Sequence, residues 1–135
     1  MSRLRFLALA FALGAAACGS DTPTTPTPTT PATVTDTFAG TLTANGAASY
    51  TFTTAASGAV TATLTTLAPD STLIVGIALG TWNGNACQIV LSKDSATQLS
   101  FLIGQASQAS TFCVRIYDVG NVVDPATYEV QVNHP

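Results

Sequence analysis

Charge is the scarcest property of this chain, and its scarcity excludes several functions at once. Of 135 residues, 4 are Lys or Arg, 7 are Asp or Glu and 1 is His. Arg3 and Arg5 stand near the start, so only Lys93 and Arg115 remain to offset Asp21, Asp36, Asp70, Asp94, Asp118, Asp124 and Glu129. Two separated cations on an acidic chain cannot neutralise a run of phosphates, which excludes a nucleic-acid partner. The single histidine, His134, lies beside Pro135, where a disordered tail is expected rather than a general base. No serine-histidine-acid set can be assembled, and the glycines at 76, 80 and 104 are too sparse for a phosphate cradle. Asp118 and Asp124 flank Gly120-Asn121 in the manner of solvated loop acids rather than a glycosidase pair. No catalytic residue, cofactor or enzymatic activity is therefore expected. Beyond the first residues no apolar run approaches the length of a transmembrane helix.

The first residues carry an address. Arg3 and Arg5 precede an apolar run, Phe6 to Leu13, that is too short to span a bilayer and gives way to small residues. This order predicts an export signal over residues 1–17. The box Ala15-Ala16-Ala17-Cys18 resembles that of a bacterial lipoprotein signal, with Ala15 where the pattern usually has leucine. The resemblance implies that Cys18 is acylated, becomes the new N-terminus and anchors the protein in the cell envelope, at the outer membrane or facing the periplasm. Each buried methylene contributes about 0.8 kcal/mol, so two or three acyl chains hold where one binds marginally. The alternative is an ordinary secretory signal cut after Ala17, which would leave Cys18 a free thiol on a secreted chain. Cysteine arithmetic favours acylation, because it leaves Cys87 and Cys113 as an even pair in an oxidising compartment.

From Ser20 to Thr35 threonine and proline alternate without hydrophobic periodicity, and the prolines remove donors and fix backbone angles. Residues 18–35 thus read as the attachment site and a disordered linker. Extended as polyproline II at about 3.1 Å per residue, the linker would hold the folded part on the order of 50 Å from Cys18.

Residues 36–135 have the length of one domain and keep to period two almost throughout. Strands are expected near Thr37–Thr43, Ala48–Thr54, Gly58–Leu67, Thr72–Thr81, Ala86–Ser92, Gln98–Gly104, Ser110–Asp118 and Thr127–Val132. Eight short strands and no convincing helix predict an all-β, antiparallel sandwich. Asn45-Gly46 and Asn83-Gly84 read as turns between antiparallel neighbours, the second as a type I′ hairpin, whose central residues both need positive φ. Val60, Ala62 and Leu64 share one parity and the threonines between them the other, the pattern of a strand with one wet face. Leu73, Val75, Ile77 and Leu79 form another inward row, and Ile74, Gly76, Ala78 and Gly80 a second, mostly small face that something could cover. Phe112, Val114 and Ile116, with Tyr50, Phe52, Tyr128, Val130 and Val132, complete a two-layer core.

Cys87 and Cys113 are expected to form a disulfide, contributing about 3–4 kcal/mol in the chain-entropy model. Their parities disagree. Cys87 goes with Ile89 and Leu91, which read as inward, and Cys113 with Arg115 and Tyr117, which read as outward. The bond therefore requires a strand end or a bulge, most simply at Cys87. No histidine or third thiolate lies at ligand spacing for a metal.

The runs Asp36-Thr-Phe38-Ala-Gly40-Thr-Leu42, Tyr50-Thr-Phe52-Thr, Gly58-Ala-Val60-Thr-Ala-Thr-Leu64, Phe112-Cys-Val114-Arg-Ile116-Tyr and Tyr128-Glu-Val130-Gln-Val132 resemble the bacterial pre-peptidase C-terminal domain over nearly all of residues 36–132. The resemblance implies a jelly-roll-like sandwich of the kind attached to secreted peptidases and implicated there in export or substrate binding, although no peptidase accompanies it here. Trp82, beside a turn, and Tyr117 are candidates for a surface that stacks on a sugar or inserts into a partner, with an aromatic capping the core edge as the plainer reading of Trp82. Asp118, Asn121 and Asp124 offer oxygen ligands in one loop, a weak candidate for calcium whose spacing does not match an EF-hand. The expectation is a lipid-anchored, non-catalytic binding or structural module whose partner is an envelope protein or polysaccharide. The alternatives are a peptidase accessory, a small hydrolytic domain or a carbohydrate-binding module using Trp82.

Overall fold

The computed structural model describes Gly19 and residues 22–135. The expected signal over 1–17 and the attachment residue Cys18 lie outside the described residues. Residues 22–33 form no regular element, and eight strands come after them: β1 (Val34–Leu42), β2 (Ala47–Thr54), β3 (Gly58–Ala68), β4 (Val75–Trp82), β5 (Cys87–Ala96), β6 (Phe101–Ala106), β7 (Ser110–Tyr117) and β8 (Ala126–His134). No helix occurs among the described residues, so none is long and apolar enough to cross a membrane.

The strands form two antiparallel sheets of four, in the orders β1-β8-β3-β6 and β2-β7-β4-β5. Every strand lies in the sheet opposite the one before it, except β5, which pairs with β4. This is the jelly-roll winding, in which a long two-stranded ribbon is wrapped around a common core. Inward rows from both sheets fill the middle: Leu42, Val60, Leu64, Val130 and Val132 from the first, Phe52, Val75, Ile77, Val114 and Ile116 from the second. Each such side chain contributes about 1.5–3 kcal/mol when removed from water. The threonines of β3 at 61, 63 and 65 take the other face, as their parity predicted.

Several local expectations are corrected. Asn45-Gly46 does not join sheet neighbours: β1 pairs with β8 and β2 with β7, so this turn is a corner between sheets. Asn45 takes φ 56°, its N–H donates to Asp118 at 2.8 Å, and the Asp118 N–H returns to the Gly46 carbonyl at 2.9 Å. A local turn signal cannot register that distant tie. Asn83-Gly84 does join β4 to β5, yet only Gly84 has positive φ. The Asn83 side-chain oxygen instead accepts from Asn85 and Ala86 N–H, each at 2.9 Å, so the turn is an Asx type rather than type I′. His134 is no tail residue: it ends β8, pairs with Val34 and is 3% exposed. The first strand also begins two residues inside the expected linker, at Val34.

Candidate functional site

The small outer row of β4 is covered, and its cover joins the strands on either side. Tyr117 at the end of β7 stands opposite Gly76, and its ring crosses the glycine so that the hydroxyl donates to the Asp94 carboxylate on β5. A Cβ at position 76 would run into that ring. Burial, and then the hydrogen bond to Asp94, push the Tyr117 phenol above its usual range. Further along, the Cys87–Cys113 disulfide forms and crosses β4 at Gly80, which stands opposite Cys113. Strands two places apart in a flat sheet lie about 9.5 Å from one another. The cysteine Cα atoms are 5.7 Å apart, so β5 is drawn over Gly80, where a Cβ would strike the Gln88 carbonyl.

A bulge resolves the disagreement in cysteine parity. Leu79 pairs with Leu91 but Gly80 with Ile89, which leaves Val90 as the extra residue. The extra residue turns Ile89 and Cys87 to the outer face, beside Cys113. The expectation that Ile89 looks inward is thereby corrected, and both Ile89 and Leu91 are exposed in part because β5 is an edge strand.

The sequence candidates do not converge. Trp82 ends β4 and Tyr117 lies opposite Gly76, six residues back along that strand, or roughly 20 Å at about 3.3 Å per residue. Both are half-buried. Asp118 organises its own loop: Oδ2 accepts from Asn45 N–H, and Oδ1 from the N–H groups of Gly120, Asn121 and Val122 at 2.8–3.0 Å. These bonds, Asn45 first and Val122 next, hold the Asp118 carboxyl down at about 2. The Asn121 amide donates to the Ile74 carbonyl. Among the described residues no three His, Cys, Asp or Glu side chains gather as a metal site, Asp118 and Asp124 included. His134 has both ring nitrogens engaged, Nε2 with Asp36 at 3.0 Å and Nδ1 with the Pro135 main-chain oxygen at 3.2 Å, and its ring packs on Phe52. Thr30, Pro31 and Thr33 lie with His134 and Pro135 around a hollow at this end, so the end of the linker runs beside the domain.

The feature that sequence reasoning missed is the contrast between the sandwich's two open sides. At the side of β1 and β2, Phe38 stacks on Tyr50 with ring centres 4.9 Å apart, and the Tyr50 and Tyr128 hydroxyls meet at 2.7 Å over Gly40. Burial, then the bond to Tyr50, raise the Tyr128 phenol above its usual range. That side is closed. At the side of β5 and β6 an apolar cleft of about 210 Å³ opens between the sheets. Phe52, Val60, Leu79 and Phe112 form its floor, Val90 and Leu91 one lip, and Gly104, Gln105 and Ser107 the other. Val90 at its mouth is 69% exposed, whereas Phe101 (54%) and Ile103 (59%) pair with Thr63 and Thr61 and stand with those threonines on the outer face of the first sheet, the face opposite the one that Gly104 turns to the cleft; Leu99 (68%) lies in the turn before β6. Leu99 also adopts φ 70°, a left-handed conformation that costs a non-glycine residue about 1–2 kcal/mol, and its N–H is held by the Leu64 carbonyl at 2.7 Å. An open apolar cleft beside an edge strand that exposes Phe101 and Ile103 on its outer face marks this side of the domain as a contact surface. The Phe101, Ile103 alternation was the available signal, but an edge position cannot be told from a buried one by period alone.

Comparison with known proteins adds no family to this geometry: no family model and no curated protein matches the chain.

Proposed function

We propose that this chain is an exported, lipid-anchored module of the bacterial envelope that binds a partner, without catalysis, through the seam between β5 and β6. The observation that carries the reading is the cleft at that seam, apolar in its lining and open beside the exposed Val90, while the opposite side is sealed by tyrosines. The export pattern and the Cys18 box support the anchor, and the threonine-proline linker supports display away from a membrane surface. Engagement of both nitrogens of the sole histidine supports a non-catalytic role.

Two measurements test it. A photo-crosslinking residue placed at Val90 or Gln105, both at the cleft, should give a discrete adduct in the envelope fraction in cells, while one at Thr37, exposed on the far edge strand, should give none. Equal labelling at all three positions, or none at the seam, would remove the seam from consideration. Mass spectrometry of the mature N-terminus should find acylated Cys18, and an unmodified cysteine there would remove the anchor.

A further inference from the structure

Resting on that reading of the seam, we propose that the partner is an extended, uncharged strand of another protein, which pairs with the free edge of β6 and seats one bulky apolar side chain in the cleft. β6 is bonded on one side only, to β3, so its other edge presents unpaired N–H and C=O groups, the template for strand addition. Of the two edges at the seam, β5 is interrupted by two register shifts and carries Lys93 and Asp94. β6, with the sequence Phe-Leu-Ile-Gly-Gln-Ala, has no charge, proline or bulge and can be extended.

The cleft decides what the added strand brings. Its volume of about 210 Å³ lies below the roughly 300–1,000 Å³ of small-molecule sites and nearer the apolar cavity of about 150 Å³ that accepts benzene. That suits a single ring or branched side chain. Gly104 keeps it open, since a Cβ there would already touch Leu91 and Leu79 at 3.4 and 3.6 Å. No charged side chain lines the cleft or lies on β6, so a charged group brought there would lose hydration and find no counter-ion. The chain's own linker is a poor occupant, because its prolines lack the N–H groups that pairing needs. A second copy pairing through β6 would bring Leu102, Gly104 and Ala106 to the inner face. Leu102 is already packed on its own core and the others are too small to fill the gap.

The test titrates the full-length chain in detergent micelles with a fluorescent, end-blocked peptide alternating threonine and valine around a central phenylalanine, read by anisotropy. Saturable binding is expected, weakened at least about tenfold when the phenylalanine becomes glycine or aspartate, and likewise when alternate peptide amides are N-methylated along one edge. Gly104→Leu, which fills the cleft, should weaken it similarly, and Val90→Asp at the mouth reports the same effect should that variant fail to fold. Indifference to the central residue or to N-methylation would overturn the proposal, as would self-association abolished by Phe101→Lys in a chain that ignores the peptide. Absence of peptide binding alongside a discrete cellular adduct at Val90 would defeat the strand while leaving the seam standing.

Discussion

Gly76→Ala should destabilise the domain in one background and stabilise it in another, which makes it a sharp probe of the bridge over β4. In the native chain the new Cβ would occupy the space of the Tyr117 ring, so the ring must lift and release Asp94. Loss of a part-exposed hydrogen bond costs about 0.5–1.5 kcal/mol. If about 40 Å² of ring returns to water at about 25 cal/mol per Å², a further 1 kcal/mol is lost. Against this, alanine is favoured over glycine within a strand by about 0.5–1 kcal/mol. The balance is a net loss of about 1 kcal/mol, or about 4–8 °C in Tm for a domain of this size. With Tyr117→Ala already in place the steric term vanishes, and the same substitution should stabilise by about 0.5–1 kcal/mol. The four proteins of this cycle, melted in urea under circular dichroism, should give a coupling of about 2 kcal/mol between positions 76 and 117. Equal destabilisation in both backgrounds would refute the idea that the glycine exists to accommodate the tyrosine.

Two further outcomes are expected from the same face and its loop. Reduction of Cys87–Cys113, or replacement of both by alanine, should lower stability by about 3.5 kcal/mol in the chain-entropy model for a loop of 26 residues; an unchanged urea midpoint under reductant would show that the bond constrains nothing. Because the Asp118 carboxyl titrates at about 2 in the fold, below its ordinary 3.8, its contribution is complete above about pH 4 and lost as pH falls toward 2. Asp118→Asn should flatten that acid limb, and an Asp118 carboxyl titrating near 4 by NMR would contradict the four N–H bonds.

Period-two patterning located all eight strands to within a few residues, because most strands present one face to the core and one to water. It could not show which strand lies beside which. The pairing of β1 with β8 joins residues nearly a hundred positions apart, and no local turn encodes it. The same limit explains Asn45-Gly46, whose corner geometry depends on Asp118, and His134, whose burial depends on Asp36 and Phe52. β5 defeated parity for a different reason. Its bulge at Val90 exchanges the two faces midway, so the apparent disagreement between the cysteines was itself the only sequence trace of the bulge. The cleft left still less trace, since an absence of filling is written in no residue except Gly104.

These observations meet in the placement of β5. A jelly roll has two sides where edge strands of opposite sheets approach, and here one is closed by Phe38, Tyr50 and Tyr128. At the other, Leu91 of β5 reaches across to Gly104 of β6, and the cleft lies beside that contact. The disulfide over Gly80 and the Tyr117–Asp94 bond over Gly76 both curl β5 across β4 toward β7. The small residues of β4 permit the curl, and the two bulges in β5 absorb it. The disulfide therefore does more than restrict the unfolded chain: it fixes the strand that carries the Val90 and Leu91 lip of the cleft. Binding at the cleft should accordingly weaken on reduction even at temperatures where the sandwich remains folded, whereas a bond that only stabilised the fold would leave the affinity of the folded fraction unchanged.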